Sequence, residues 1–124
     1  MAGKFGLSET EYMIMTYFWD TEREMMVKSV REHFSEKGTL WATQTVKTFL
    51  ENLVKKGSLT FRKQGHQKMY YAAMDRMSYA TLWLKKIVEQ NFDNGMDEFI
   101  LTFSNLKNDL TEAQKEELKK IWDE

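Results

Sequence analysis

Between Thr43 and Ala73 the spacing of apolar residues changes once, from the period of a helix to the period of a strand. No other feature constrains the fold of this chain as much. In TQTVKTFLENLVKKG, residues 43–57, Val46, Phe49, Leu50 and Leu53 stand at i, i+3, i+4 and i+7 and so share one face of an α-helix. Gln44, Lys47, Thr48, Glu51 and Lys55 fall on the other face. Lys55 and Lys56 complement the dipole in the last turn, and Gly57 is a natural stop. Beyond it Leu59 and Phe61 alternate with Ser58, Thr60 and Arg62, and Met69, Tyr71 and Ala73 alternate again. The polar, Gly-containing segment Gln64-Gly65-His66-Gln67 suits a turn between them. The spacing therefore predicts a helix followed by a hairpin whose tip and flanks carry Arg62, Lys63, His66 and Lys68.

Upstream, Ser8-Glu9-Thr10-Glu11 is a capping box that opens a helix running to about Trp19 or Asp20, with Met15, Phe18 and Trp19 on its apolar side. Met25 and Met26 suit a very short strand. A second helix is expected over Val27 to Ser35, with Val27, Val30 and Phe34 inward, and Gly38 marks the break after it. Trp41 reads as a buried aromatic anchoring the start of the third helix. Three short helices followed by a basic hairpin is the order of a winged helix-turn-helix. In that arrangement the second helix of the turn motif enters the major groove and the hairpin reaches the flanking backbone.

Downstream, Asp75 can cap a helix of about 18 residues, roughly 27 Å long. Asp93-Asn94-Gly95 breaks it, MDEFILTFS (96–104) reads as a short helix, and Thr111-Glu112-Ala113-Gln114 is a second capping box. Short helices with this many aromatics cannot bury them alone, and pairing with a second copy would. The expected architecture is mainly α with a small β-hairpin: a winged helix-turn-helix at 1–74 and a helical dimerisation domain at 75–124. The expected dimer contacts are Tyr79, Leu82, Trp83, Ile87, Phe92, Phe99, Phe103, Leu118, Ile121 and Trp122.

Charge is divided along the chain. Residues 37–74 hold seven Lys or Arg against the single acid Glu51, whereas residues 75–124 hold seven against eleven acids. A basic segment joined to an acidic one favours a polyanion-binding module attached to something else. Without Cys there is neither a disulfide nor a thiolate metal site, and His33 and His66 are the only histidines. With no nucleophile–base pair either, the chain is expected not to be an enzyme and to need no metal or cofactor. No run approaches the roughly 20 apolar residues of a membrane span and none resembles a signal peptide, so the expected location is the cytoplasm.

The segments LSETEYMIMTYFWD (7–20), WATQTVKTFLENLVKKG (41–57), MYYAA (69–73), DEFILTFSN (97–105) and LTEAQKEELKKIWDE (110–124) together resemble the BlaI/MecI, or penicillinase repressor, family of bacterial winged-helix repressors. Thr45-Val46-Lys47-Thr48 is the strongest single match. The resemblance implies a homodimer on a palindromic operator, usually with TACA/TGTA half-site cores, and a recognition helix at Thr43 to Lys56. Position 43 is Thr where relatives often carry Tyr or an acid. In the β-lactam-responsive branch a membrane sensor leads to repressor cleavage beside a Phe. The matching bond here is Thr102–Phe103, with Thr in place of Asn, and a sensor-linked protease is the partner this implies. The copper-responsive branch binds metal through paired cysteines, which this chain lacks.

The expected DNA contacts are thus Thr43, Gln44, Thr45, Lys47, Thr48 and Lys55 on the helix, and Arg62, Lys63, His66 and Lys68 on the hairpin. Thr can meet a thymine methyl or a base edge, and Lys a guanine or a phosphate. Two other functions use the same residues differently. One is a winged-helix protein–protein adaptor without a DNA target. The other is a ligand-sensing regulator whose effector sits in the C-terminal aromatic region.

Overall fold

The computed structural model describes residues 3–123. Its elements are α1 (Glu9–Thr21), α2 (Val27–Glu36), α3 (Thr43–Lys56), β1 (Leu59–Gln64), β2 (Gln67–Ala72), α4 (Arg76–Asn91), α5 (Gly95–Ser104), a 3-10 turn (Lys107–Asp109) and α6 (Glu112–Trp122). They fall into two compact units, Met1–Trp83 and Leu84–Glu124. The mainly helical chain with one hairpin is as the periodicity predicts. The 3-10 turn was not legible, because Leu106 to Asp109 has no apolar period.

In the first unit the apolar stripe of α3 meets α1, α2 and the base of the hairpin. Val46, Leu50 and Leu53 are fully buried together with Ile14, Met15 and Phe18 of α1, Val30 of α2, and Leu59 and Tyr70 of the hairpin. Phe49 is only half-buried and packs against Trp41 at 5.4 Å between ring centroids. Trp41, expected to be buried, is only half-buried; it also meets Phe34, at 5.1 Å. β1 and β2 pair antiparallel with Gln64 opposite Gln67, which leaves a two-residue turn at Gly65-His66. Gly65 has φ +63, as such a tight turn requires. The Met25 strand is reduced to one bridge: Met25 and Tyr70 exchange both backbone hydrogen bonds at 2.8 Å.

Two polar devices fix the ends of this arrangement. The capping box forms as expected, with Ser8 N–H donating to Glu11 Oε1 at 2.7 Å and Glu11 N–H to Ser8 Oγ at 3.1 Å. The buried Glu11 carboxylate also accepts from Lys56 Nζ at 2.7 Å, and Lys56 donates to the Gly6 carbonyl at 3.1 Å. One lysine thus ties the end of α3 to the start of α1. At the same end Gly57 has φ 87, and Ser58 N–H donates back to Leu53 O at 3.2 Å.

In the second unit Phe92, Phe99 and Phe103 form an edge-to-face series with centroids 5.7 and 6.1 Å apart. The second capping box also forms, with Gln114 N–H donating to Thr111 Oγ1 at 3.1 Å. Yet neither α5 nor α6 buries a single residue, and Val88 is the only buried side chain among the described residues of this unit.

Burial pushes the Glu11 carboxyl upward, but hydrogen bonds from Lys56 and the Ser8 backbone, with the Lys56 charge, outweigh it and hold the group below its ordinary value. A carboxyl depressed in the folded state stabilises the fold at neutral pH, and that contribution is lost as the pH falls through the carboxylate range. Glu11→Gln should therefore lower the melting temperature at pH 7 while flattening its decline toward acid, read by circular dichroism across a pH series. Gly57→Ala should destabilise by about 1–2 kcal/mol, because its left-handed backbone crowds a Cβ; chemical denaturation measures it.

Candidate nucleic-acid interface

With the stripe of α3 turned inward, its other face is held in solvent. Thr43, Gln44, Thr45, Lys47, Thr48 and Lys55 are all exposed, and Glu51 is half-exposed. Gln44 and Thr48 are coupled: Thr48 Oγ1 donates to the Gln44 carbonyl at 3.0 Å, and Gln44 Nε2 lies 3.4 Å from Thr48 Oγ1. Thr43 Oγ1 accepts from Arg31 Nη1 at 3.0 Å, so an arginine of α2 stands beside the first turn of α3. Neither α2 nor α3 has a side-chain cap or an acid in its first turn; Met26 and Ala42 hold the cap positions. The starts of both helices therefore keep uncapped N–H groups and a local positive potential.

A groove of ≈ 370 Å³ runs between these helix starts and the hairpin. Met26, Val27 and Tyr70 give it apolar surface, Lys28, Lys47 and Lys68 line it with cations, and His66 adds an imidazole. Lys28 stands outside the basic segment, so charge along the sequence does not single it out. Its only ion-pair partner among the described residues is Glu32, at 3.9 Å on an exposed surface. Among the described residues Lys47, Lys55, Lys63 and Lys68 form no ion pair. Lys68 lies over the Phe61 ring, 4.4 Å from its centroid, which steadies its stem without neutralising it.

The hairpin sorts its own cations by register. Phe61 pairs with Tyr70, Lys63 with Lys68, and Arg62 with Met69. Side chains alternate along a strand, so Lys63 and Lys68 share the face of the core residue Tyr70, while Arg62 points from the opposite face. There Arg62 Nε donates to Glu24 Oε1 at 2.8 Å and to Oε2 at 3.0 Å, and Nη2 reaches Oε2 at 2.7 Å. Among the described residues, Arg62 is thus the one expected hairpin contact that already holds an anionic partner. Its hydrogen bond and charge hold the Glu24 carboxyl below the ordinary value.

The residues expected at a dimer contact divide as well. Tyr79 is buried in the first unit, its ring 6.3 Å from Trp19 and its hydroxyl 3.5 Å from the Lys56 carbonyl. Trp83 meets Phe5 at 5.8 Å, and Leu82 is half-buried. In the second unit Ile87, Phe92, Phe99 and Phe103 are half-buried, while Leu118, Ile121 and Trp122 are 43%, 60% and 83% exposed. The Thr102–Phe103 bond lies in the last turn of α5, where the Thr102 carbonyl accepts from Asn105 N–H at 3.1 Å. No cluster of three or more His, Cys, Asp or Glu among the described residues could hold a metal ion. No described helix is long and apolar enough to cross a membrane.

A family model described as Penicillinase repressor matches residues 7–124. The chain belongs to the penicillinase repressor family. Within that family, it is 23% identical over 117 residues to the methicillin resistance regulatory protein MecI of Staphylococcus aureus (strain N315), covering 94% of this chain and 93% of the relative. It is 26% identical over 119 residues to the penicillinase repressor of Bacillus licheniformis, covering 95% and 90%. The solution structure of the DNA binding domain of the repressor BlaI matches with a TM-score of 0.50 and 28% identity over 61% of this chain and 90% of that one. MepR, a transcription regulator of the Staphylococcus aureus multidrug efflux pump MepA, matches with a TM-score of 0.51 at 12% identity, over 96% of this chain and 77% of MepR. The latter is a likeness of fold alone. The family match runs through both units, and the fold is the winged helix that the sequence predicts.

Proposed function

We propose that this member of the penicillinase repressor family is a transcriptional repressor that binds a palindromic operator as a homodimer. One observation carries the reading: the exposed amide, hydroxyl and lysine face of α3 opens onto a groove lined by cations that lack strong partners. Its likeness to the DNA binding domain of BlaI agrees with that chemistry. In this reading α3 enters the major groove, where Gln44, Thr45, Lys47 and Thr48 meet base edges. Thr43 borders the same face, and Lys55 meets the backbone at its far end. The DNA strand between the grooves lies along the cleft, its phosphates taken by Lys28, Lys63, His66 and Lys68. The DNA is bound by charge and selected by α3.

Homodimerisation through the second unit accounts for its exposed apolar residues, since surface of this kind is stable when a partner covers it. Two copies would present two α3 helices, which is why the operator is palindromic. Release by a sensor-linked protease at Thr102–Phe103 would first require the last turn of α5 to unwind, because the bond to be cut is helical.

Lys47→Ala should weaken binding by about 1–3 kcal/mol and relax discrimination at one operator position. Site selection from random DNA followed by fluorescence anisotropy measures both, and unchanged affinity and selectivity would remove Lys47 from the reading surface. The affinity of the unaltered chain should fall linearly on a log–log salt plot, at about 0.9 per phosphate contacted. The double substitution Ile121→Asp with Trp122→Asp should give single chains in sedimentation and a large loss of operator affinity. If it stays paired, the dimer contact lies elsewhere.

A further inference from the structure

We infer that Glu24 is a positioning residue, which sets the aim of the hairpin through Arg62 instead of leaving Arg62 to touch DNA. The inference rests on the proposed DNA-binding role for its consequence, but its geometry is independent of it. Consecutive residues of the connection between α1 and α2 grip different strands. Met25 exchanges two backbone hydrogen bonds with Tyr70 of β2. Glu24 holds the guanidinium of Arg62 on β1 at 2.7–3.0 Å, and Arg62 Nη2 also donates to Gln64 Oε1 at 3.1 Å, one residue from the turn.

The mechanical effect follows from the number of attachments. The core holds the base of the hairpin at Leu59 and Tyr70, and the bridge to Met25 adds to that hold, but beyond Tyr70 the two-stranded ribbon is able to swing and twist. The Glu24–Arg62 attachment, on the other strand and nearer the tip, restrains that freedom. The side chains from Lys63 to Gln67 are exposed, so their direction is set by the strands that carry them. Alternation puts Arg62 on the face away from Lys63, Lys68 and Tyr70. A phosphate at Arg62 would have to displace a carboxylate that already uses the planar fork such an anion would need. Holding the face that carries Lys63 and Lys68, with Lys68 at the groove beside α3, is therefore the role left to the pair.

Glu24→Gln, Arg62→Gln and the exchanged pair Glu24→Arg with Arg62→Glu test this in two ways. Without DNA, backbone hydrogen exchange at Met69 and Tyr70 should quicken in both single variants and return toward the original rate in the exchanged pair. In anisotropy titrations over a salt series, both single variants should lose the same several-fold affinity with the salt slope unchanged, and the exchanged pair should recover it. A slope reduced by about 0.9 in Arg62→Gln, with no recovery in the exchanged pair, would make Arg62 a direct phosphate contact and overturn the inference. Exchange rates that do not change in the single variants would overturn it too. An unaltered chain that fails to bind DNA at low salt would sink the functional proposal, while the exchange measurement still decides the role of Glu24.

Discussion

Val46, Leu50 and Leu53 lie wholly inside the protein, and that buried stripe decides which side of α3 meets solvent. Rotating the helix by one residue would turn Lys47 toward the interior and Val46 toward water, a change opposed by both desolvation of a charge and loss of apolar burial. The orientation of Gln44, Thr45, Lys47 and Thr48 is thus fixed by residues that never approach a partner. The same stripe packs on Leu59 and Tyr70, so the hairpin is placed relative to α3 by one shared core.

Around that core, carboxylates select which cations remain available. Glu11 takes Lys56 and Glu24 takes Arg62, each at 2.7 Å. Adjacent lysines at the end of α3 consequently have different fates: Lys56 is drawn toward the start of α1, and Lys55 is left in solvent. The basic character of the segment is therefore not evenly usable. It is concentrated on Lys47, Lys63 and Lys68, with Lys28 added from α2. An inventory of positive residues cannot reveal this, since it depends on pairs that are 38 and 45 residues apart in the chain.

Much of the fold was legible because its signals are local. Both capping boxes form, α3 has the bounds that its periodicity and Gly57 give, and the hairpin turns at Gly65-His66. α4 is 16 residues long, close to the expected length, and Asp75 does cap it through Ser78 N–H at 2.8 Å. Non-local features were harder to read. An apolar stripe in a sequence states that a face is buried, not what buries it, and so Tyr79 and Trp83 could not be separated from Ile121 and Trp122. Nor does the sequence distinguish Arg62 from Lys63; strand register and one distant acid do that. Charge along the sequence does not single out Lys28, because the groove joins three elements and only two of them lie in the basic segment.

Neither α5 nor α6 has a buried side chain, which ties their stability to whatever covers them. Isoleucine and tryptophan left in water gain stability only when another surface covers them, so under the proposed pairing the order of this half depends on how often two copies meet. Under that pairing, dilution would loosen the C-terminal unit before the winged helix. A regulator assembled this way gauges its own abundance: scarce chains would offer α3 singly, and only above a threshold would they act as a pair.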